Sequence, residues 1–174
     1  MKVIPLTRGM FAKVDDQDYE RVVNFGKWHA LKSGRRFYAA RAYKVAPKNQ
    51  KLLLMHRFIL ADIQSGFDAD HIDGDGLNNQ RSNLRVATRS QNRANVRIPA
   101  NNTSGRKGVW FHANGKWSAS IKVNQRRVHL GRYKTLQEAA SAYDKAAVKY
   151  FGPFAKTNEM CLASQNKRNH GNVN

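Results

Sequence analysis

The feature that most constrains the fold lies in the last third of the chain, where three strand-like segments precede one amphipathic helix. Residues 107–113, 116–123 and 126–133 alternate apolar and polar side chains with a period of two, as strands with one buried face do. Asn114-Gly115 is the preferred pair for a two-residue hairpin turn, because both positions need positive φ, and Asn124-Gln125 makes a weaker second turn. These segments therefore predict a three-stranded antiparallel sheet.

The alternation sorts the side chains of this sheet onto two faces of different chemistry. One face is apolar and consists of Val109, Phe111, Trp117, Ala119, Ile121, Val123, Val128 and Leu130. The other face is basic and hydrogen-bonding and consists of Gly108, Trp110, His112, Ser118, Ser120, Lys122, Arg127 and His129.

One helix is expected to cover the apolar face. Thr135 and Glu138 form a capping box, and apolar residues then recur at helical spacing on one side until Gly152-Pro153 ends the helix. The opposite sheet face stays uncovered, and a sheet of this chemistry can enter the major groove of DNA. The alternative is a solvated basic face that has no partner.

Residues 105–158 resemble the Apetala-two/ethylene-response-factor (ERF) family of DNA-binding domains over essentially the whole domain. The resemblance rests on G-R-K-G-V-W, N-G-K-W-S-A-S-I-K, R-V-H-L-G-R-Y, E-A-A-S-A-Y-D-K-A-A and G-P-F-A-K-T-N. It implies a sheet that contacts the major groove through Lys107, Trp110, His112, Lys122, Arg127 and His129. Several arginines of the family are replaced here, at Trp110, His112 and Lys122, so the family's base preference does not transfer.

The net charge of the chain points to a polyanionic partner. Lys and Arg number 31 against 12 Asp and Glu, which gives +19. The 18 basic and 9 acidic residues of 1–104, and the 13 and 3 of 105–174, make both halves basic. Nucleic acid is the commonest intracellular polyanion, so we expect double-stranded DNA as the partner. A solubility-driven surface and an RNA-associated, ribosomal-type protein are the alternatives.

The candidate chemical site lies near the middle of the chain at Asp70-His71. An aspartate is a hard oxygen ligand suited to Mg²⁺, and a neighbouring histidine can act as a general base near neutral pH. Hydrolysis of a phosphodiester needs both a cation to neutralise the developing charge and a base to deprotonate water.

A short helix is expected to follow this site. Thr88 and Gln91 have the spacing of a capping box, which predicts a helix start near Arg89 and places Asn92 on its first turns. The amide oxygen of Asn92 is a candidate second metal ligand. The arginines around the segment can hold the DNA backbone, and they are Arg81, Arg85, Arg89 and Arg93.

Three other interpretations of residues 68–76 compete with a nuclease site. The acidic spacing misses the register of a calcium-binding EF-hand loop. A structural Asp/Asn/Gly turn without chemistry is the plainest alternative. Zinc is disfavoured, because zinc sites use clustered Cys and His, whereas the histidines here are scattered and Cys161 is the only cysteine.

Residues 55–95 resemble the HNH endonuclease family, in particular its phage and intron-associated homing members. The motifs are H-R at 56–57, D-H-I-D-G-D at 70–75, N-N at 78–79, N-L-R at 83–85 and S-Q-N at 90–92. The resemblance implies a ββα-metal fold, with two strands and a helix around one divalent ion, and cleavage to 5′-phosphate and 3′-hydroxyl ends. It implies that Asp70 and Asn92 hold the metal, that His71 activates water and that Asn83 braces the loop of His71. The third motif position is Asn92 here rather than His, and Asp73, Asp75 and His56 are expected to shape or pack the site without ligating.

Together these patterns predict an α+β protein with two functional domains. We expect an HNH nuclease domain over 1–95 (β-rich over 1–54, ββα-metal core over 55–95), a linker over 96–105, an ERF-like domain over 106–158 and a flexible basic tail over 159–174. Lys32, Arg35, Arg36 and Arg41 of the first region can add DNA contacts.

The expected function is that of a sequence-guided DNA endonuclease, a homing enzyme that nicks duplex DNA as a monomer with Mg²⁺ or Mn²⁺. The alternative is a non-catalytic DNA-binding transcriptional regulator. No apolar run approaches the roughly 18 residues of a membrane helix, and the single cysteine favours a reducing, cytoplasmic location.

Overall fold

The structure is a computed structural model, and it describes residues 1–46, 49–99 and 101–163. The chain divides into two compact units, Met1–Arg89 and Ser90–Asn174. Both units combine helices with small antiparallel sheets, which confirms the predicted α+β class. Over the described ranges, no helix is long and apolar enough to cross a membrane.

The first unit opens with the antiparallel pair β1 (Lys2–Pro5) and β2 (Phe11–Val14), followed by α1 (Asp16–Phe25). The sequence predicts a β-rich region over 1–54, in which Val22, Val23 and Phe25 have a strand-like pattern, but all three lie on α1. Acidic residues in the first turn favour the positive end of the helix dipole, and Val22 is fully buried in the core. The tertiary core thus overrides the strand preference of two consecutive valines.

Three strands form a second antiparallel sheet in the order β3 (His29–Ser33), β4 (Arg36–Ala46) and β5 (Asn49–Leu54). The short helix α2 (Met55–Leu60) follows directly and buries Met55, His56 and Ile59. Its apolar residues join the core of this unit, which consists of Ile4, Ala12, Val14, Val22, Trp28, Ala39, Met55, Ile59 and Leu84.

The candidate chemical residues lie on the antiparallel pair β6 (Phe67–His71) and β7 (Leu84–Thr88), which is followed by α3 (Arg89–Ala94). The predicted helix start near Arg89 is confirmed. Two strands and a helix therefore succeed one another in the order that the resemblance implies, and their arrangement around a metal stays a prediction.

The second unit contains the predicted three-stranded sheet, in the order β10 (Arg126–Tyr133), β9 (Trp117–Val123) and β8 (Val109–Phe111). The two turns differ from expectation. Asn124 and Gln125 both have positive φ and join paired residues, so this is the tight two-residue turn. Of the pair Asn114-Gly115, only Gly115 has positive φ, and β8 and β9 are joined by five residues.

A bulge in β10 changes which side chains share a face. The register shifts between His129 and Gly131, so that Arg132 pairs with Ser118 and Tyr133 pairs with Trp117. Directly paired residues of an antiparallel sheet lie on the same face. Arg132 therefore joins the polar face, although unbroken alternation would place it on the apolar one.

The helix α4 (Leu136–Phe151) covers the apolar face of this sheet, as predicted. Both hydrogen bonds of the capping box are present, between the Thr135 hydroxyl and the Glu138 amide and between the Glu138 carboxylate and the Thr135 amide. Small alanines of α4 are buried against the sheet at positions 139, 140, 146 and 147.

The segment between the sheet and the preceding helix is hydrogen-bonded to the second unit. Ser104 Oγ donates to the carbonyl oxygen of Val109 at 2.7 Å, and Ala94 at the end of α3 is buried in the core of this unit. Ser104 of the predicted linker thus lies within the second compact unit, and the predicted bounds of the linker over 96–105 stay a prediction. In the predicted tail, residues 159–163 are helical, and 164–174 lie outside the described residues.

Candidate functional site

The end of strand β6 positions the two central residues of the candidate site. Asp70 and His71 are the last residues of β6 and pair with Arg85 and Leu84 of β7. Both side chains are buried, with exposed fractions of 6% and 5%. Consecutive strand residues point to opposite faces, so the side chains of Asp70 and His71 have different surroundings.

Asp70 forms an ion pair with its cross-strand partner. Both Nε and Nη2 of Arg85 lie 2.9 Å from Oδ2 of Asp70, and the Arg85 side chain is 15% exposed. The sequence predicts that Arg85 contacts the DNA backbone, and in the structure its guanidinium is paired with the carboxylate of Asp70, the candidate metal ligand.

Asn83 braces the loop that follows His71. Its Oδ1 accepts from the amide of Asp73 at 3.0 Å, and its Nδ2 donates to Asp73 Oδ1 and to the carbonyl oxygen of Asn78. Asp75 in turn caps this loop, because its Oδ1 accepts from the Leu77 amide at 3.1 Å. These contacts support the predicted loop-shaping roles, and the catalytic contribution of Asn83 stays a prediction.

The imidazole of His71 lies in a pocket of aromatic and amide groups. Its Nε2 lies 3.3 Å from Oδ1 of Asn79. Its ring lies edge-on to that of His56, with the ring centroids 4.6 Å apart, and the centroid of the Tyr38 ring lies 6.0 Å away. Burial lowers the pKa of His71 below its ordinary value, while the hydrogen bond with Asn79 and nearby carboxylates oppose this effect. The ring is therefore neutral at neutral pH, as a general base must be.

His56 packs against the site. It is 5% exposed, and burial, together with the charges of His71 and Arg57, lowers its pKa to about 3. Its Nδ1 has no hydrogen-bond partner. The sequence predicts that His56 packs the site without ligating a metal, and in the structure its buried ring lies edge-on to that of His71.

Asn92 lies on α3 and is half-buried, and Arg89 at the start of this helix is exposed. Arg81 has a partner within the first unit, because its Nε and Nη2 donate to Asp18 at 2.7 and 2.8 Å. Asp18 is 3% exposed, so this ion pair is a structural tie between the turn at 81–83 and α1. The DNA contacts proposed below therefore do not include Arg81.

The donor chemistry of the predicted ligands suits a hard cation. Among the described residues, no three His, Cys, Asp or Glu side chains are grouped so that they could hold a metal ion. The predicted ligands are one carboxylate oxygen of Asp70 and one amide oxygen of Asn92. Mg²⁺ takes oxygen ligands and keeps several water molecules, so a site with few protein ligands fits it.

The polar face of the C-terminal sheet is the candidate nucleic-acid interface. Lys122, Arg127, His129 and Arg132 are exposed, and Trp110 and His112 are half-buried and hydrogen-bonded to each other at 3.1 Å. Lys122 pairs directly with Arg127, which concentrates positive charge near the β9–β10 turn. Arg132 is missed by alternation, and only the bulge in β10 reveals it.

Lys107 differs from its expected role. It is 7% exposed, and its Nζ donates to the carbonyl oxygens of Ala94 and Lys156, both at 2.7 Å. Burial lowers its pKa to about 8. This ammonium group is enclosed by the protein, so Lys107 stabilises the second unit and is left out of the proposed DNA contacts.

Comparisons with known proteins match the same two regions. The family model for HNH endonucleases matches residues 62–94, and that for the AP2 domain matches residues 104–153. An uncharacterised HNH endonuclease of Acanthamoeba polyphaga mimivirus is 34% identical over 158 residues, which is 88% of this chain and 77% of the viral protein. The chain belongs to the HNH endonuclease family.

Other relatives of this HNH endonuclease match one region each. Protein 3.8 of Escherichia phage T7 is 33% identical over 95 residues, which is 54% of this chain and 78% of the phage protein. An ethylene-responsive transcription factor of Medicago truncatula is 40% identical over 82 residues, which is 46% of this chain and 32% of the plant protein. The predicted combination of an HNH domain with an AP2/ERF domain is confirmed.

Proposed function

We propose that this HNH endonuclease hydrolyses phosphodiester bonds of duplex DNA with one bound divalent ion, Mg²⁺ or Mn²⁺. The observation that carries the proposal is the buried pair Asp70 and His71, a carboxylate and an imidazole on adjacent residues at the end of β6. Both residues lie within the segment that matches the HNH family.

In this mechanism, His71 accepts a proton from the water that attacks the phosphorus, the bond from phosphorus to the 3′ oxygen breaks, and that oxygen takes a proton from solvent to give 5′-phosphate and 3′-hydroxyl ends. Asp70 and Asn92 would hold the divalent ion, which would neutralise negative charge that develops on the phosphate. Asn83 keeps the loop after His71 in place through its contacts with Asp73 and Asn78. Arg85, paired with Asp70, orients that carboxylate and adds positive charge beside the scissile phosphate.

The AP2 sheet supplies the choice of target in this proposal. Its polar face contacts the major groove through Trp110, His112, Lys122, Arg127, His129 and Arg132, and Arg89 contacts the backbone. The first unit adds charge, because residues 21–61 contain ten Lys and Arg and no acidic residue. Lys32, Arg35, Arg36 and Arg41 of this stretch are the proposed backbone contacts.

We further propose that the enzyme acts as a monomer, nicks one strand and serves in homing. One metal site per chain cuts one strand at a time. A nuclease centre that contacts the backbone has little sequence preference, and attachment to a sheet that contacts bases restores it.

The test is a cleavage assay on supercoiled plasmid and genomic DNA with Mg²⁺, Mn²⁺ or EDTA. We expect metal-dependent nicked circles, lost in His71→Ala and Asp70→Asn while DNA affinity stays nearly unchanged. The matched control is Asp68→Asn, on the same strand with only a 3.7 Å ion pair to Arg57, which should cleave normally. Wild-type nicking by both site variants would refute the assignment.

Two other outcomes distinguish the alternatives. Tight binding of duplex DNA without cleavage under any divalent ion would identify a DNA-binding regulator. Linear product without a nicked intermediate would replace nicking by double-strand cleavage.

A further inference from the structure

The contacts of the His71 ring assign a role to a residue outside the motif triad. We propose that Asn79 is a positioning residue that holds His71 in the tautomer with the proton on Nε2, so that Nδ1 carries the lone pair that accepts a proton from water. This inference rests on the proposed function of His71 as the general base.

The position of Asn79 is fixed by its backbone. Asn79 is fully buried, with an exposed fraction of 0%. Its amide donates to the carbonyl oxygen of Lys13 at 2.8 Å, and the Lys13 amide donates to the carbonyl oxygen of Leu77 at the same distance. Strand β2 therefore clamps residues 77–79 on both sides, and the Asn79 side chain projects from a rigid segment.

The orientation of the Asn79 amide group is fixed as well. Its Nδ2 donates to the carbonyl oxygen of Leu77 at 3.2 Å, and its Oδ1 faces Nε2 of His71 at 3.3 Å. The flipped amide would bring Oδ1 against the Leu77 carbonyl oxygen, where two acceptors repel. The Leu77 carbonyl thus ensures that His71 Nε2 meets an acceptor.

An acceptor at Nε2 decides the tautomer of His71. A neutral imidazole has one N–H donor and one acceptor nitrogen. The contact with Oδ1 is a hydrogen bond only if Nε2 carries the proton, which leaves the lone pair on Nδ1. After His71 accepts a proton, Nε2–H still donates to Asn79, so the contact supports both the resting and the protonated ring.

The surroundings of the ring offer no competing donor or acceptor from His56. The His56 ring meets His71 edge-on at 4.6 Å, and its own Nδ1 has no hydrogen-bond partner. His56 therefore restricts the ring sterically, and Asn79 supplies a polar contact at Nε2.

The first test is ¹⁵N NMR of the histidine side chains in the full chain, at a pH where His71 is neutral. We expect His71 to show the Nε2–H tautomer in wild type and to populate the other tautomer in Asn79→Leu. Asn78→Leu is the matched control, because it changes the adjacent asparagine, whose side chain bonds to Asp73, and it should keep the wild-type signature. An Nδ1–H tautomer in wild type, or an Nε2–H tautomer retained in folded Asn79→Leu, would overturn the inference.

The second test is cleavage kinetics with Mg²⁺. Loss of an orienting partner typically costs about 10- to 100-fold in activity, and we expect that loss in kcat of Asn79→Leu with KM unchanged. If Asn79→Leu does not fold, Asn79→Ala removes the acceptor at Nε2 without adding a bulky apolar side chain, and it should likewise populate the other tautomer. An Nε2–H tautomer retained without change in folded Asn79→Ala would contradict the inference.

Failure of the proposed nuclease function is a separate result. A protein without cleavage under any divalent ion would refute that function, whereas the NMR signature would still decide whether Asn79 sets the tautomer.

Discussion

The clearest quantitative test concerns Gly108, which lies close to Tyr143 of α4 in the AP2 domain. Its φ is +67°, and an added Cβ would overlap both the Tyr143 ring and the carbonyl oxygen of Ser120. The same two residues are hydrogen-bonded to each other, because the Ser120 amide donates to the carbonyl oxygen of Gly108 at 2.8 Å. The backbone there cannot move without disturbing the pairing of β9.

The expected cost of Gly108→Ala has two parts. A left-handed backbone costs a non-glycine residue about 1–2 kcal/mol. Overpacking against a fixed neighbour adds about 1–3 kcal/mol. The free energy of unfolding of the second unit should therefore fall by about 2–5 kcal/mol. Gly115→Ala provides the matched control, because Gly115 has φ +77° and no atom within 4 Å of its Cβ position, so strain alone applies.

Hydrogen exchange of the β9 amides in the full chain measures this difference. Since 1.4 kcal/mol is a factor of about ten in an equilibrium constant, Gly108→Ala should exchange about 10- to 100-fold faster than Gly115→Ala. DNA affinity should fall in parallel, because the polar face of the sheet is built on the same strands. Equal exchange in the two variants would refute the close-approach argument and leave only backbone strain.

Three further perturbations test charge and burial. In the folded chain the pKa of His56 is about 3, whereas its ordinary value is about 6.5. Between these two pH values, only the unfolded state binds a proton at His56. The first unit should thus lose up to about 1.4 kcal/mol of stability per pH unit as the pH falls from about 6.5 towards 3, seen by urea titration. Arg127→Ala should reduce the slope of log affinity against log salt by about 1 in fluorescence anisotropy. Asp18→Asn should destabilise the first unit by about 1–3 kcal/mol in the same urea titration, since it breaks the buried ion pair with Arg81, whose 42% exposure lets that charge rehydrate.

Each of these predictions has a control in the chain. His56→Phe should flatten the pH dependence of stability, and an unchanged slope would contradict the assignment to His56. The control for Arg127→Ala is Arg126→Ala. Arg126 pairs with Val123, whereas Arg127 pairs with Lys122, so Arg126→Ala should lower DNA affinity less than Arg127→Ala does. Asp16→Asn alters an exposed ion pair with the N-terminus and should change stability by less than about 0.5 kcal/mol. Equal effects of the two aspartate variants would count against the buried pair.

Local patterns were sufficient for the parts of the fold that depend on neighbours in sequence. The capping box at Thr135 predicts α4, and alternation predicts β9 and β10, because helix caps and strand faces are set within a few residues. The adjacent Asp70 and His71 are visible for the same reason. The tight turn at Asn124-Gln125 was underrated, because a non-glycine residue at positive φ is uncommon.

Local patterns do not predict strand pairing and burial between residues that lie far apart in sequence. Helix α1 was missed because its valines favour a strand locally, and only the core of the first unit selects the helix. The resemblance to the ERF family places Lys107 among the DNA contacts, whereas its ammonium group donates to the carbonyl oxygens of two segments that lie far from it in sequence.

By itself, then, the sequence determined two domains of known type and predicted which residues cut and contact DNA. The tertiary structure decided how those residues are used. The bulge in β10 moves Arg132 onto the polar face, β7 places Arg85 on Asp70, and β2 holds Asn79 against His71. Each of these depends on backbone pairing between segments that no local pattern brings together, since strand register and loop docking are set by the whole core.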